Sequence, residues 1–203
     1  DVLNYSVQVY GEKPLTLILG DNVFAANDTL INSMKRKKIS GAKIFATFVH
    51  DAHRFGVVNF DNKMRIESLE EKPKRPKSNY AIIGVYIFDE KVFEYLKRIR
   101  PSKRGELEIT DILKMYLTDQ KLSLEIMKRG SAWFDAGTPE SLLRASLFIE
   151  TFEKQSGMMI GSIEEAAFVR KFIDKPQLMK LVKSMPKSSY KIYLENIIKG
   201  IDN

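Results

Sequence analysis

Two aspartates stand directly after apolar runs with the composition of buried strands. Asp21 follows the run at 17–20, and Asp135 follows the run at 132–134. Ligands of an open α/β sheet bind outside the carboxyl ends of its strands, so both carboxylates can face one crevice. Because Mg²⁺ takes one or two carboxylates together with water and phosphate oxygens, the pair predicts a magnesium site for phosphate chemistry. The alternative, that each aspartate caps the turn or helix after it, stays open at this point.

A carboxylate and an ammonium, Glu71 and Lys72, end another strand-like segment just before Pro73. In that position a carboxylate can accept hydrogen bonds from sugar hydroxyls, and an ammonium can bind phosphate. Side chains alternate along a strand, so these two would point to opposite faces unless the strand twists or bulges before the proline. Without a shared cavity they would be a surface ion pair.

Other catalytic arrangements find little support. His50 and His53 lack a nearby carboxylate that would complete a set of metal ligands, so we interpret them as surface residues. The acids of residues 104–111 precede a predicted helix, and they suit its positive end without any catalytic role. The sequence has no G-x-G-x-x-G or Walker loop and no convincing Ser-His-Asp arrangement.

The elements that must position these residues alternate between strands and helices up to residue 138. Apolar runs bounded by turn residues predict strands at 15–19, 43–49, 55–60, 65–72, 80–88 and 122–127, and a last one ending at 135. Helical spacing and capping residues predict helices at 28–38, 91–98 and 109–117. This order predicts an α/β fold with a mixed sheet.

After Pro139 the pattern is helical. Helices are predicted at 140–155, 163–172, 176–185 and 190–198. We therefore predict two domains, 1–138 and 139–203. Large apolar and aromatic residues are so frequent in the second domain that we expect part of its surface to be covered by other subunits.

The net charge of the chain favours anionic partners, such as nucleotides or nucleic acid, without distinguishing between them. The chain has 33 Lys and Arg against 26 Asp and Glu, which gives a net charge of +7. Its basic runs at 35–38 and 72–77 lack interleaved aromatic residues, so we interpret them as a solvated helix end and a solvated loop, with no nucleic-acid partner. No apolar stretch is long enough to span a bilayer, and there is no cysteine, so we expect a cytoplasmic protein without a membrane partner.

Seven short strings, in order along the chain, closely resemble the glucose-1-phosphate thymidylyltransferase family of sugar nucleotidyltransferases. The strings are Leu-Gly-Asp-Asn at 19–22, Arg-Phe-Gly-Val-Val at 54–58, Leu-Glu-Glu-Lys-Pro at 69–73, Ser-Asn-Tyr-Ala at 78–81, Gly-Val-Tyr-Ile-Phe-Asp at 84–89, Arg-Gly-Glu-Leu-Glu-Ile-Thr-Asp at 104–111 and Trp-Phe-Asp-Ala-Gly-Thr at 133–138. Their shared order and spacing are far more specific than any single motif.

The resemblance implies a Rossmann-like, mostly parallel mixed sheet flanked by helices, followed by a C-terminal helical appendage. It implies a magnesium-dependent reaction in which dTTP and glucose 1-phosphate give dTDP-glucose and pyrophosphate, catalysed mainly by positioning and charge neutralisation. It also implies a homotetramer.

The resemblance also implies roles for individual residues, at the positions that match the motifs of the family. Asp21 and Asp135 would hold Mg²⁺, Lys72 would bind the sugar phosphate, and Arg104 would support the site. The residues expected at the sugar are Gly56, Glu71, Gly84 and Tyr86. Gln8 resembles the glutamine that reads thymine, while Arg129 and Glu165 match positions near a regulatory nucleotide or sugar-nucleotide site between subunits.

The family's N-terminal signature, a Gly-rich loop with a Thr-Arg pair and a later Pro-Lys, is absent from the sequence. The helical segment expected between Gln8 and Leu15 is also absent, so we expect a break in the chain or a deleted nucleotide-binding helix there. The N-terminal part of the fold would then be missing, and the 203 residues alone would not transfer nucleotides. Two alternatives stay open: another sugar nucleotidyltransferase, for example one that uses UTP, and a non-catalytic sugar-phosphate-binding module.

Overall fold

The computed structural model describes residues 11–25, 28–35, 40–102 and 105–200. The chain forms two compact units, of which the first ends at Leu142 and the second begins at Leu143. Of the segment between Gln8 and Leu15 in which a break was expected, the part up to residue 10 lies outside the described residues, so this expectation stays a prediction. Within the described ranges, no helix is long and apolar enough to cross a membrane.

The described part of the first unit is built on eight strands. They are β1 (Leu15–Ile18), β2 (Asn22–Ala25), β3 (Ala42–Phe48), β4 (Gly56–Phe60), β5 (Ile66–Glu71), β6 (Tyr80–Phe88), β7 (Leu122–Ile126) and β8 (Ala132–Asp135). The helices of this unit are α1 (Asp28–Met34), α2 (Val92–Leu96) and α3 (Ile109–Thr118), and a single 3₁₀ turn covers Ala52–Arg54.

Six of the strands form one mixed sheet in the order β5-β4-β6-β3-β7, with β1 also paired to β6. Strands β2 and β8 form a separate antiparallel pair. The mixed α/β sheet is confirmed, but the pairs between described strands are antiparallel except for β3 with β7. Parallel pairing is therefore rarer than predicted, because β4 and β5 form a hairpin and β6 runs against each of its neighbours.

The long strand β6 organises this sheet. Strand β3 lies along one of its edges, so β1 and β4 must share the other. On that shared edge β1 pairs with residues 85–88, whereas β4 meets β6 at Ala81. Between these two pairings β6 passes Ile82 and Gly84, and a cavity opens at that point.

Both faces of the sheet are covered, which explains why β6 is an unbroken apolar run. One face packs Phe88 against Phe93 of α2 and Tyr116 of α3. The other face packs Ile83 and Val85 with other apolar residues, among them Leu30 of α1 and, partly buried, Trp133 of β8. The alternating side chains of β6 thus belong to two separate cores, as the period of a strand requires.

The second unit is helical, as predicted. Helix α4 (Pro139–Ser156) begins before the boundary between the units and continues past it, and α5 (Ile163–Val169), α6 (Lys175–Ser184) and α7 (Ser189–Gly200) follow. The core consists of Leu178, Val182 and Leu194. Helix α6 begins with a capping box, in which Asp174 and Gln177 each accept a hydrogen bond of 2.8 Å from the other's backbone N–H.

Sequence patterns located the described strands and helices with one exception. Strand β2 was not predicted, because its four residues follow the Gly-Asp turn directly and are too few to show a period. Its pairing with β8 brings Asn22 opposite Asp135. The missed strand therefore determines where the two predicted metal-binding segments meet.

Candidate active site

A cavity of about 210 Å³ in the first unit gathers the residues that the sequence singled out. Seven predicted site residues line it: Asp21, Gly56, Glu71, Lys72, Gly84, Tyr86 and Asp135. They come from the turn after β1, from β4, β5 and β6, and from the end of β8. The cavity therefore lies where several strand ends converge, as expected of an α/β protein.

The two strand-end aspartates face one small space. The backbone N–H of Ala136 donates a 2.7 Å hydrogen bond to the carbonyl of Asp21, which ties the two segments together. A Cβ built on Gly137 would lie 3.2 Å from Asp135 Oδ1 and 3.4 Å from Asp21 Oδ2. Both oxygens thus border a single point, and carboxylates placed in this way repel each other unless a cation lies between them.

This pair fits Mg²⁺ better than a metal held by protein alone. Among the described residues, no group of three or more histidines or acids could hold a metal ion. Mg²⁺ commonly takes one or two carboxylates and completes its shell with water and substrate phosphates. The cavity is lined by four carboxylates, from Asp21, Glu71, Glu108 and Asp135, and by two cationic side chains, from Arg54 and Lys72. A phosphate would therefore approach it more readily with a divalent cation present.

Glu71 and Lys72 both line the cavity, although they are neighbours at the end of a strand. Lys72 has a φ of +43°, so the chain leaves the extended conformation at this residue and the alternation of side chains ends. Its N–H donates a 3.0 Å hydrogen bond to the carbonyl of Phe55. The twist or bulge that a shared site would require is this single left-handed residue before Pro73.

Glu71 is held in place by Thr110, which the sequence analysis gave no role. The hydroxyl of Thr110, in the first turn of α3, donates a hydrogen bond to Glu71 Oε2, and Thr110 is only 1% exposed. A Cβ on Gly56 would come within 3.3 Å of the same oxygen. The absence of a side chain at Gly56 therefore leaves room for the carboxylate.

Tyr86 presents its phenol to the cavity from the middle of β6. Burial, and then the negative charges of Glu71 and Asp21, raise the pKa of this phenol well above its usual value. The hydroxyl therefore keeps its proton throughout the physiological range, and it can donate a hydrogen bond to a bound ligand.

Arg54 is a cation at the cavity that the sequence analysis did not single out. Its guanidinium lies 3.7 Å from Asp135 Oδ2 and 2.9 Å from Asp51 Oδ2, and it covers the ring of Phe55. It therefore offsets part of the negative charge on Asp135. The sequence signal that could have identified Arg54 is its position at the start of the string at 54–58, which resembles the family.

Four predicted residues are not placed at this cavity. Arg129 is exposed between β7 and β8 and does not line it. Glu165 belongs to α5 in the second unit, where it accepts a 2.6 Å hydrogen bond from the hydroxyl of Tyr193. The regulatory role given to these two residues stays a prediction. Arg104 and Gln8 lie outside the described residues.

Comparison with known proteins identifies the relatives of this chain. Residues 2–151 match the sequence model of a family described as nucleotidyl transferase. A glucose-1-phosphate thymidylyltransferase of Neisseria meningitidis serogroup A is 40% identical over 190 residues, which cover 93% of this chain and 66% of the relative. The enzyme of the same name from Xanthomonas campestris pv. campestris strain B100 is 42% identical over 192 residues, covering 93% and 64%. The chain thus spans slightly less than two thirds of the length of these relatives.

Solved structures of other proteins have a fold similar to that of this chain. A crystal structure assigned as a glucose-1-phosphate thymidylyltransferase from Bacillus anthracis, in complex with a sucrose, superposes with a TM-score of 0.63 at 42% identity. The match covers 72% of this chain and 58% of that one. A UDP-glucose pyrophosphorylase complexed with UDP-glucose also gives a TM-score of 0.63, at 23% identity, and this likeness concerns the fold alone.

Proposed function

This chain belongs to the nucleotidyl transferase family, and on that premise we propose that it carries the sugar-phosphate half of a glucose-1-phosphate thymidylyltransferase. The whole protein would convert dTTP and glucose 1-phosphate into dTDP-glucose and pyrophosphate. An oxygen of the sugar phosphate attacks the α-phosphorus of dTTP in line, and the bond from that phosphorus to the bridging oxygen of the β-phosphate breaks. Pyrophosphate leaves with the electron pair of that bond.

Bound at Asp21 and Asp135, Mg²⁺ would neutralise the charge that develops on the phosphates. Lys72 places an ammonium at the same cavity, where it can bind the phosphate of the sugar as a point charge. Glu71, held by Thr110, can accept a hydrogen bond from a sugar hydroxyl, and the protonated phenol of Tyr86 can donate one. In such a reaction positioning and electrostatic stabilisation do most of the catalysis.

One observation carries the proposal: seven residues predicted from strings up to 114 positions apart line one cavity. Surface aspartates, lysines and glycines without a shared role would not be expected to converge in this way. The relatives named above support the choice of thymidylyl transfer over other reactions of the family.

Release of pyrophosphate tests the proposal directly. The protein as encoded by its gene is incubated with Mg²⁺, glucose 1-phosphate and either dTTP or UTP, and Asp135→Asn serves as the matched inactive variant. We expect release with dTTP that depends on both the sugar phosphate and Mg²⁺. Faster release with UTP would identify a different nucleotide specificity. Calorimetric binding of glucose 1-phosphate without release from either nucleotide would identify a binding module instead.

We also propose that the helical second unit packs against other copies of the chain, in a homotetramer. Large apolar side chains on its surface support this, since Phe172 is 82% exposed and Ile163 is 76% exposed. Sedimentation velocity at micromolar concentration should show a tetramer. A monomer under those conditions would contradict the proposal.

A further inference from the structure

We propose that Asn22 is a positioning residue that fixes which oxygen of Asp21 faces Asp135. This inference rests on the proposed metal site. Asn22 begins β2, directly after the turn that carries Asp21, and it pairs with Asp135 across the β2–β8 ladder. Asn22 is therefore placed where the two segments that would hold the metal meet.

Three hydrogen bonds fix the carboxamide of Asn22. Its Oδ1 accepts from the indole Nε1–H of Trp133 at 2.6 Å and from the backbone N–H of Gly84 at 3.1 Å. Its Nδ2 donates to Asp21 Oδ1 at 2.7 Å. One side chain thus joins β2, β6 and β8 to the carboxylate.

The orientation of this amide follows from chemistry. An indole N–H and a backbone N–H can only donate, so the amide atom that faces both of them must be the oxygen. The NH₂ group must then point to Asp21, whose carboxylate can only accept when ionised. Turning the amide by 180° would oppose donors to donors and an acceptor to a carboxylate.

Gly84 makes this arrangement possible. A Cβ at position 84 would lie 2.6 to 2.8 Å from the carboxamide atoms of Asn22, which is closer than real Cβ contacts. Any side chain there would displace the amide. The resemblance assigned Gly84 to the sugar, whereas the structure also gives its missing side chain a role in seating Asn22.

The bond to Asn22 occupies Asp21 Oδ1, and the other oxygen, Oδ2, is the one that shares its space with Asp135 Oδ1. Without the amide, the carboxylate of Asp21 could rotate, and its two oxygens would compete for the position next to Asp135. Partners that orient metal-binding carboxylates are typically worth about 10- to 100-fold in metal affinity. We therefore expect Asn22→Ala to bind a divalent cation about tenfold more weakly.

Binding of Mn²⁺ alone, measured from the loss of its free electron paramagnetic resonance signal, tests this without any turnover. The variants are Asn22→Ala and Trp133→Phe, and the second keeps an aromatic ring but lacks the N–H that fixes the amide. The matched control is Asn59→Ala, since Asn59 on β4 donates a similar 2.8 Å bond to Glu67 on an exposed part of the sheet. Circular dichroism melting shows that each variant is folded before Mn²⁺ is added.

The expected order of Mn²⁺ affinity is wild type and Asn59→Ala, then Trp133→Phe, then Asn22→Ala. If folded Asn22→Ala and Trp133→Phe both bind Mn²⁺ as the wild type does, the inference is overturned and the metal site stands. If wild type and Asp21→Asn bind Mn²⁺ equally, the proposed metal site itself fails. A merely structural Asn22 would lower the melting temperature and leave the affinity of the folded protein unchanged.

Discussion

Asp21, Asp89 and Asp135 each lie at or shortly after the end of a strand in the first unit, yet their carboxylates have different surroundings. Asp89, after β6, accepts hydrogen bonds at both of its oxygens: Oδ2 accepts from the N–H of Gly41, and Oδ1 accepts from the N–H of Lys91 and the hydroxyl of Tyr116. Asp21 Oδ2 accepts no hydrogen bond from the described residues. Asp135 Oδ2 lies 3.7 Å from the guanidinium of Arg54, which is too long for a good hydrogen bond.

The comparison shows what separates a capping aspartate from a candidate ligand. Position after a strand is common to all three, and so is a preceding apolar run. The number of protein hydrogen-bond donors around each carboxylate differs, and a carboxylate oxygen without a protein donor can still bind a cation or a substrate. The capping role that the sequence left open for Asp21 and Asp135 is thus the one that Asp89 performs.

Replacing Asp21 or Asp135 with Asn should have the largest effect. If these carboxylates bind Mg²⁺ as proposed, removing one of them should lower turnover of the protein encoded by the gene by at least about 100-fold, which corresponds to roughly 3 kcal/mol. Thermal stability should stay the same or rise, because two facing carboxylates no longer repel each other. Steady-state kinetics measures turnover, and calorimetry measures thermal stability. An Asp21→Asn variant as active as the wild type would contradict the distinction drawn between Asp21 and Asp89.

Asp89→Asn should show the opposite pattern. An amide cannot accept hydrogen bonds at both of its ends, so at least one buried donor would lose its partner, at a cost of about 1–3 kcal/mol in the free energy of unfolding. Turnover at a temperature where the variant is folded should equal that of the wild type. Urea unfolding followed by circular dichroism gives the free energy, and a loss of turnover in the folded variant would place Asp89 with the other two.

Lys72→Ala extends the comparison to a cation. Lys72 is exposed and has no ion pair with the other described residues, so its ammonium contributes little to folding. We expect about a tenfold higher KM for glucose 1-phosphate or a similar loss of turnover, corresponding to about 1.4 kcal/mol. Lys74→Ala, a matched exposed lysine outside the cavity, should change neither. Wild-type kinetics in Lys72→Ala would assign this lysine to the surface.

Thr110→Val should have the smallest effect. It removes one hydroxyl donor from Glu71 without leaving a large cavity, so we expect KM for the sugar phosphate to rise about fivefold, near 1 kcal/mol. Thr110→Ser keeps the donor and should restore most of the affinity. Thr118→Val on the exposed side of α3 is the control, since its hydroxyl bonds only the carbonyl of Lys114 among described residues. A Thr110→Ser variant as weak as Thr110→Val would show that packing, and not the hydroxyl, matters.

Much of this site could be read from the sequence, because strand ends carry their own signals. The runs before Asp21, Glu71 and Asp135 predicted strands, and an α/β fold brings such ends together. The strings that resemble the family then added Gly56, Gly84 and Tyr86, which alone carry no local signal of function.

The remainder depends on contacts between distant segments. Asn22 and Trp133 are 111 positions apart, and no periodicity or spacing in the sequence predicts the hydrogen bond between their side chains. Thr110 has the sequence context of an ordinary residue at a helix start, and nothing there indicates its hydrogen bond to Glu71. Lys72 has a left-handed backbone, so the alternation of side chains along a strand does not predict where its side chain points. These features become visible only when the packing of β2, β8 and α3 is known.

The indole that holds Asn22 belongs to the single tryptophan of the chain. It packs against Phe55 with ring centroids 5.1 Å apart, and it lines the cavity beside the two aspartates. Indole fluorescence responds to the polarity and hydrogen bonding of its surroundings, so this one ring is a natural optical sensor of the cavity. The emission of the unlabelled protein should therefore follow the arrival of a cation or a sugar phosphate in real time, without contributions from any other tryptophan of these 203 residues.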